Sequence, residues 1–151
     1  MANSYTKLLV QIVFAPKHRA MQFNQPQSDL IGKYIFGIAQ KHKMHPIAVK
    51  CLPDHIHLFV HLHSINSVSQ VVRELKSISS KWIKEQRWCL TAFQWQSGFG
   101  AFSYSSWDEE KIKKYVLDQE EHHRKTTFGE EYRMLLLEHG IVFNEEYLFD
   151  G

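Results

Sequence analysis

The sequence predicts an α+β fold of the ferredoxin-like (split βαβ) kind, with an antiparallel sheet, helices on one face and further C-terminal helices. The predicted elements follow the order β-α-β-β-α-β. The third strand alternates apolar residues with histidines, which indicates one face toward a core. The chain has 151 residues, of which 44% are hydrophobic, and this is enough for one core in one domain spanning 1–151.

The first half of the pattern is a strand, a helix and a strand. Residues 5–14 are β-branched and apolar and predict a strand. Ser28 or Asp29 is expected to cap a helix over 30–43, where apolar residues recur at helical spacing. Residues 46–52 then predict the second strand.

The third strand, over 55–62, is the most informative element. Its two faces differ, because strand side chains alternate with period 2. One face holds Ile56, Leu58, Val60 and Leu62, and the other holds His55, His57, Phe59, His61 and His63. We expect the first face to pack on the core and the histidine face to be left free by the helices.

The remaining elements complete the split βαβ order. A helix is predicted from Ser67 to Gln86, followed by a strand over 93–104 that glycines make irregular. Asp108 is expected to cap a helix over 109–124, and a last helix covers 129–139.

Composition excludes several classes of protein. No apolar run approaches the roughly 20 residues that cross a bilayer, and the first residues lack the features of a signal peptide. Two cysteines, Cys51 and Cys89, give neither a disulfide framework nor a metal quartet. We therefore expect a soluble, cytoplasmic protein that does not associate with a membrane.

The net charge of +2 averages two unlike parts of the chain. Residues 1–100 hold 12 lysines and arginines against 4 acids, whereas residues 101–151 hold 6 against 12. A basic body indicates a polyanionic partner, although only weakly, because sequence does not show clustering on one face.

The sharpest chemical feature is the pair His55 and His57. Two imidazoles at i and i+2 on one strand lie side by side and are close enough to share a metal ion. A histidine-rich strand facing solvent is the alternative. A second pair, His61 and His63, lies on the same face, and geometry alone does not choose between the pairs.

A second candidate is a helical stripe of Tyr115, Gln119 and His122. Residues at i and i+4 share a helix face, and a phenol beside an amide oxygen and an imidazole is suited to phosphoryl chemistry. The alternative is an ordinary amphipathic face, on which Tyr115 lies at the edge of the core.

Four segments together carry a resemblance to a known family. They are PDHIHL at 53–58, LKSISSK at 75–81, WQSGFGAFS at 95–103 and YVLDQEEHH at 115–123. In this order and spacing they resemble the HUH-superfamily single-tyrosine transposases, which are TnpA-like proteins of the simplest bacterial insertion sequences and include REP-associated tyrosine transposases. The resemblance runs from about residue 5 to residue 147.

The resemblance implies a mechanism for these residues. His55 and His57 correspond to the HUH pair, Tyr115 to the nucleophile and Gln119 to the third metal ligand. An Asp before the pair selects His55 and His57 over His61 and His63. The metal is expected to be Mg²⁺ or Mn²⁺, and His122 and His123 receive no role.

The implied chemistry is sound physically. A free tyrosine has a pKa of about 10, so its phenol needs help to attack a phosphate at neutral pH. A divalent cation beside the phosphate supplies that help by neutralising charge in the transition state. The product is a 5′-phosphotyrosine and a free 3′-OH, and the covalent link conserves the energy needed to rejoin strands.

The family also implies partners. Single-stranded DNA with hairpins at element ends is the expected substrate, and a homodimer is expected. The resemblance implies that the helix over 109–124 completes the partner's site in trans, whereas the sequence by itself does not separate cis from trans assembly. Four basic side chains of the first hundred residues are predicted to contact DNA phosphates: Lys17, Arg19, Lys33 and Arg73.

Three alternatives stay open from the sequence. One is a non-catalytic nucleic-acid-binding module on the same sheet, although a face with four histidines and only Phe59 favours catalysis over base stacking. Another is a domesticated single-strand endonuclease. The third is a zinc protein in which a third histidine or Cys51 completes the site.

Overall fold

The computed structural model of the chain describes residues 3–17, 23–89 and 92–148. Its strands are β1 (Leu9–Phe14), β2 (Pro46–Leu52), β3 (His55–His61) and β4 (Gly100–Tyr104). Its α-helices are α1 (Gln25–Lys41), α2 (Val68–Gln86), α3 (Glu109–Leu117), α4 (Gln119–His122) and α5 (Phe128–Glu138). Short 3-10 turns cover Ser106–Asp108 and Glu145–Tyr147.

The four strands form one sheet in the order β2-β3-β1-β4. Every neighbouring pair is antiparallel, and β3 lies between the two strands that α1 connects. This is the split βαβ arrangement, so the predicted fold class is confirmed. His57 lies on a central strand, opposite Val13 of β1 and Lys50 of β2.

Helices α1 and α2 cover the face of the sheet that the apolar side of β3 occupies. Ile56, Leu58 and Val60 are fully buried there, as the alternation predicts. They share one core cluster with residues of both helices, including Ile31, Ile35, Val72 and Leu75. Burial of this kind stabilises a fold by about 1.5–3 kcal/mol for each large aliphatic side chain.

The histidine face of the sheet is also covered, and the expectation of a free face is wrong for the described chain. Helix α3 packs Ile112 and Val116 against Phe59 of β3. Helix α5 packs its apolar side against β1 and β4, in a cluster of Val13, Ala15, Phe102, Phe128, Leu135 and Leu136. Every residue of β1 is consequently buried.

Two element boundaries differ from the predictions for local reasons. Helix α1 begins at Gln25 rather than near residue 30, because Asn24 and Gln27 form a reciprocal capping box. The predicted strand over 93–104 forms regular pairing only from Gly100. Before it, Trp95 makes a single bridge to Pro16, and Lys76 of α2 holds the segment by donating to the Gln96 and Gly98 carbonyls at 2.6 and 2.8 Å.

The predicted helix over 109–124 is interrupted at Asp118, which separates α3 from α4. The helix predicted from Ser67 to Gln86 forms as α2, and the Ser67 hydroxyl caps it by accepting from the Gln70 amide. Among the described residues, no helix has both the length and the apolar character that crossing a bilayer needs.

Candidate active site

The site is built around two buried histidines, and a hydrogen bond from Nδ1 fixes the orientation of each ring. The His57 Nδ1–H donates to Gln11 Oε1 on the neighbouring strand at 2.6 Å, and the His55 Nδ1–H donates to Asp54 Oδ1 at 2.7 Å. Gln11 is fully buried and is itself held by Tyr104, whose hydroxyl accepts from Gln11 Nε2 at 2.8 Å. Both rings therefore direct Nε2 away from the sheet, toward the covering helices.

The carboxylate of Glu131, on α5, meets these nitrogens. Its Oε1 lies 3.1 Å from His57 Nε2, 3.0 Å from His123 Nε2 and 3.6 Å from His55 Nε2. The last distance is too long for a hydrogen bond, so His55 Nε2 is buried without a partner. Three imidazoles and one carboxylate thus converge on a small buried volume.

Tyr115 and Gln119 border the same cluster. The Tyr115 hydroxyl donates to Glu131 Oε2, the oxygen that does not face the histidines. Gln119 is fully buried, and its Oε1 accepts from His123 Nε2 at 3.0 Å. Exposed His122 packs its ring against Tyr115, with 4.7 Å between centroids, and does not enter the cluster.

Burial and charge set the protonation of the cluster. Burial lowers the pKa of His57 to about 4, so its ring is neutral at neutral pH. Burial alone lowers the pKa of His55 too, but Asp54 and Glu131 outweigh it and the pKa is raised. Burial raises the pKa of Glu131, and its contacts with the three histidines more than reverse this, so that Glu131 is ionised.

The Tyr115 phenol is held in its neutral form. Burial raises the pKa of Tyr115 well above its ordinary value, and the negative charge of Glu131 raises it further. The phenol is therefore a hydrogen-bond donor to a carboxylate in the DNA-free protein.

The donor set fits a divalent cation. Ligand atoms of His55, His57, His123 and Glu131 all lie within 4.8 Å of one another. Because His57 donates through Nδ1, its Nε2 and the Glu131 oxygen are two acceptors that face each other at 3.1 Å. A cation satisfies both acceptors and also the orphaned His55 nitrogen, and imidazole with carboxylate suits Mn²⁺ or Zn²⁺.

The structure brings together the four residues singled out from sequence, His55, His57, Tyr115 and Gln119. It adds His123 and Glu131, which sequence reasoning missed. His123 follows Gln119 by four residues, so the rule that linked Tyr115 to Gln119 also reaches it. Glu131 lies in the same apolar stripe of α5 as Phe128 and Leu135, where an acid is out of place.

The other candidate ligands lie elsewhere. His61 donates through Nε2 to the Thr6 carbonyl at 3.2 Å, and exposed His63 accepts from the Ile65 amide. Cys51 belongs to the core under α1 and α2, on the opposite face of the sheet. The alternative in which Cys51 completes a zinc site with His55 and His57 is therefore wrong.

The predicted DNA-contacting residues are exposed where they are described. Lys17 follows β1, while Lys33 and Arg73 lie on α1 and α2, across the sheet from the histidine cluster. Arg19 lies outside the described residues. Lys33 and Arg73 are thus separated from the cluster by the sheet, and their contact with DNA stays a prediction.

Comparisons with known proteins agree with this fold. A family model described as "Transposase IS200 like" matches residues 4–119. The transposases for insertion sequence element IS200 of Salmonella typhimurium and Salmonella typhi are each 31% identical over 86 residues, or 57% of this chain. The match also spans 57% of the length of each of those relatives.

Two solved structures share the fold. A putative transposase from Deinococcus radiodurans aligns with a TM-score of 0.58 and 20% identity, over 79% of this chain and 96% of that chain. A REP-associated tyrosine transposase bound to a REP hairpin aligns with a TM-score of 0.60 and 18% identity, over 82% and 73%.

The fold and the arrangement of the site define a class of protein. A buried histidine–hydrophobic–histidine pair on a split βαβ sheet, with a tyrosine beside it, is the arrangement of the HUH single-tyrosine proteins expected from the sequence. The match to the family model covers most of the chain, and the chain belongs to the IS200-like transposase family.

Proposed function

We propose that this protein is a transposase that cuts and rejoins single-stranded DNA through a covalent 5′-phosphotyrosine at Tyr115. The observation that carries the proposal is the position of Glu131, whose two oxygens contact the histidine cluster on one side and the Tyr115 hydroxyl on the other. The Glu131 carboxylate thereby links the Tyr115 nucleophile to the cation site. Such proximity suits attack on a phosphodiester that is bound beside a metal.

Some residues of the site are proposed metal ligands, and others orient those ligands. His55, His57 and Gln119 are the proposed ligands, and His123 and Glu131 offer further donors at the same point. Gln11 and Asp54 keep the two Nε2 atoms available by accepting from Nδ1–H. A bound divalent cation would supply charge neutralisation at the phosphate, and imidazole ligands favour Mn²⁺ over Mg²⁺.

Tyr115 carries out the covalent step. Its oxygen bonds to phosphorus, and the bond from phosphorus to the 3′ oxygen of the leaving strand breaks. The phenol loses one proton, for which Glu131 is the adjacent acceptor, and the leaving oxygen gains one proton to become a 3′-OH. The reverse attack by another 3′-OH releases Tyr115 and joins two strands without an outside energy source.

The proposed substrate is single-stranded DNA that carries a hairpin. A structural relative is described as bound to a REP hairpin, and the first hundred residues of this chain are strongly basic. The proposed site of action is the cytoplasm, where bacterial DNA is found.

Conversion of Tyr115→Phe tests the nucleophile. We expect the wild-type protein to form a covalent adduct with labelled single-stranded DNA from the flanks of its own gene in Mn²⁺, visible on a denaturing gel. Because the phenol oxygen is the attacking atom, Tyr115→Phe loses the adduct and keeps binding. Binding without any adduct from the wild type points instead to the non-catalytic module.

We also propose a homodimer, since rejoining requires two DNA ends. In the single chain, α3 lies over its own sheet, and trans completion requires this helix to pack on the partner instead. Mixing His57→Ala with Tyr115→Phe distinguishes the two arrangements. Trans sites recover adduct formation in mixed dimers, because one site then has both intact residues, whereas cis sites recover none.

A further inference from the structure

A cavity of about 220 Å³ lies beside the histidine cluster and has no part in the chemistry described above. Its walls come from the end of β1, the segment before β4, helix α5 and the last described residues. The side chains that matter most are Phe99, Phe128, Tyr132 and Phe143, with the amides of Gln96 and Asn144 at the same cavity. Such a lining is aromatic with a few polar groups, as in small-ligand sites generally.

One side chain joins this cavity to the candidate active site. The Phe128 ring stacks on the His55 ring, with 4.1 Å between centroids and 13° between planes. The Phe128 ring also stacks on the Tyr132 ring of the cavity wall, with 5.5 Å between centroids. A group in the cavity is therefore one aromatic ring away from a proposed metal ligand.

The shape of the cavity depends on a glycine. A Cβ on Gly100 would lie 2.6 Å from Tyr132 Cε1 and 2.8 Å from its hydroxyl. The absence of a side chain at position 100 therefore leaves room for the Tyr132 ring in this wall. Phe99, in contrast, is 37% exposed and stands at the mouth, where a ligand from solvent can reach it.

The ammonium group of Lys76 lies near Phe99. Lys76 Nζ lies 6.0 Å from the centroid of the Phe99 ring and donates to the Gln96 and Gly98 carbonyls. An aromatic cavity with a lysine next to Phe99 suits a flat ring that is attached to an anion.

We propose that this cavity binds one unstacked nucleobase of single-stranded DNA, next to the scissile phosphate. The inference rests on the proposed function and adds a base-binding subsite to it. The volume is sufficient, since an apolar cavity of about 150 Å³ already holds benzene. Aromatic rings stack with any base, and Asn144 lines the same cavity.

The test scans 2-aminopurine, whose fluorescence is quenched by stacking, through the single-stranded part of a hairpin-bearing oligonucleotide. The oligonucleotide comes from the flank of the protein's own gene, and Tyr115→Phe serves as the parent because it does not cut. We expect one position to be quenched on binding and Phe99→Ala to restore its fluorescence. Phe99→Ala should weaken binding about 5- to 100-fold, the range for loss of one aromatic–base stack.

Two controls make the result specific. Tyr5→Ala removes an aromatic ring that is 89% exposed and lies outside the cavity, and it should leave the quenching unchanged. An abasic site at the quenched position should weaken binding to the parent, while Phe99→Ala causes no further loss on that DNA.

The pocket and the proposed function fail in different ways. If no position shows quenching that depends on Phe99, the pocket is overturned, whatever the adduct assay gives. If the quenching depends on Phe99 but the wild-type protein never forms an adduct, the base-binding site stands and the transposase chemistry does not.

Discussion

At the scale of single residues, the candidate site depends on side chains that never touch a metal or DNA. Gln11 is the clearest case. Its carbonyl oxygen holds the His57 Nδ1–H, and its amide is held in turn by Tyr104. This chain of hydrogen bonds decides which nitrogen of His57 faces the cluster, so that Gln11 is a positioning residue.

Gln11→Ala is expected to weaken Mn²⁺ binding about 10- to 100-fold, the usual effect of losing an orienting partner. The His57 ring then rotates or takes the other tautomer. Isothermal titration with Mn²⁺ measures the change, and Gln70→Ala, at an exposed position on α2, is the matched control. Equal affinity in the two variants would refute the positioning role.

The residues that sequence reasoning found and missed differ in a physical way. His55 and His57 are neighbours on one strand, and Tyr115 and Gln119 are one helical turn apart, so local periodicity pairs them. Glu131 comes to the same point only because α5 docks on β1 and β4. Gln11 lies diagonally across the β1–β3 pairing from His57, and their hydrogen bond joins residues 46 positions apart.

At the scale of elements, the segment before β4 has a conformation that tertiary packing determines and that its local sequence pattern does not predict. The sequence predicts a strand over 93–104, but regular pairing begins only at Gly100. Trp95 is turned inward to meet Phe14 and Phe93 at right angles, and Lys76 ties down the backbone that follows. The residues before β4 have the composition of a strand, but they contact core side chains and do not pair with a neighbouring strand over their whole length.

Two glycines in this segment provide a matched pair. Gly100→Ala is expected to destabilise the protein by about 1–3 kcal/mol, because its Cβ would collide with Tyr132. Gly98→Ala should change stability by less than about 0.5 kcal/mol, since an added Cβ meets nothing within 4 Å. Urea unfolding of both variants decides the matter, and equal costs would contradict the packing described for Tyr132.

At the scale of the whole molecule, the sheet is covered on both faces. The alternation of β3 correctly separates a core face from a histidine face, and it does not show that the second face is covered. The residues of β1 and the residue after it carried that information, because Leu9, Val13 and Ala15 are apolar on the side of the histidines. A nearly continuous apolar run, interrupted in β1 by Gln11, is typical of a strand that is buried on both sides.

The covered site gives the metal-free protein a defined response to pH. The pKa of His55 is raised above its ordinary value, so its contribution to stability is present below about pH 6.5. That contribution is lost as the pH rises through the folded-state pKa. A metal competes with this proton for His55 Nε2 and therefore binds better at higher pH.

The rise in Tm caused by Mn²⁺ is thus expected to be larger at pH 8 than at pH 6. A metal at 100 times its Kd adds about 2.7 kcal/mol of stability. Differential scanning fluorimetry at both pH values measures it, with His61→Ala as the control that keeps the response. A rise in Tm that is as large at pH 6 as at pH 8 would exclude His55 as a ligand.

The central claim is that Tyr115 becomes bonded to the 5′ phosphate of cut DNA. The most direct measurement is mass spectrometry of the covalent adduct after digestion with nuclease and trypsin. Cleavage after Lys114 and Arg124 releases Tyr115 in a ten-residue peptide, YVLDQEEHHR. We expect this peptide to carry the nucleotide mass on its tyrosine; an unmodified peptide alongside a nucleotide on any other residue would contradict the account.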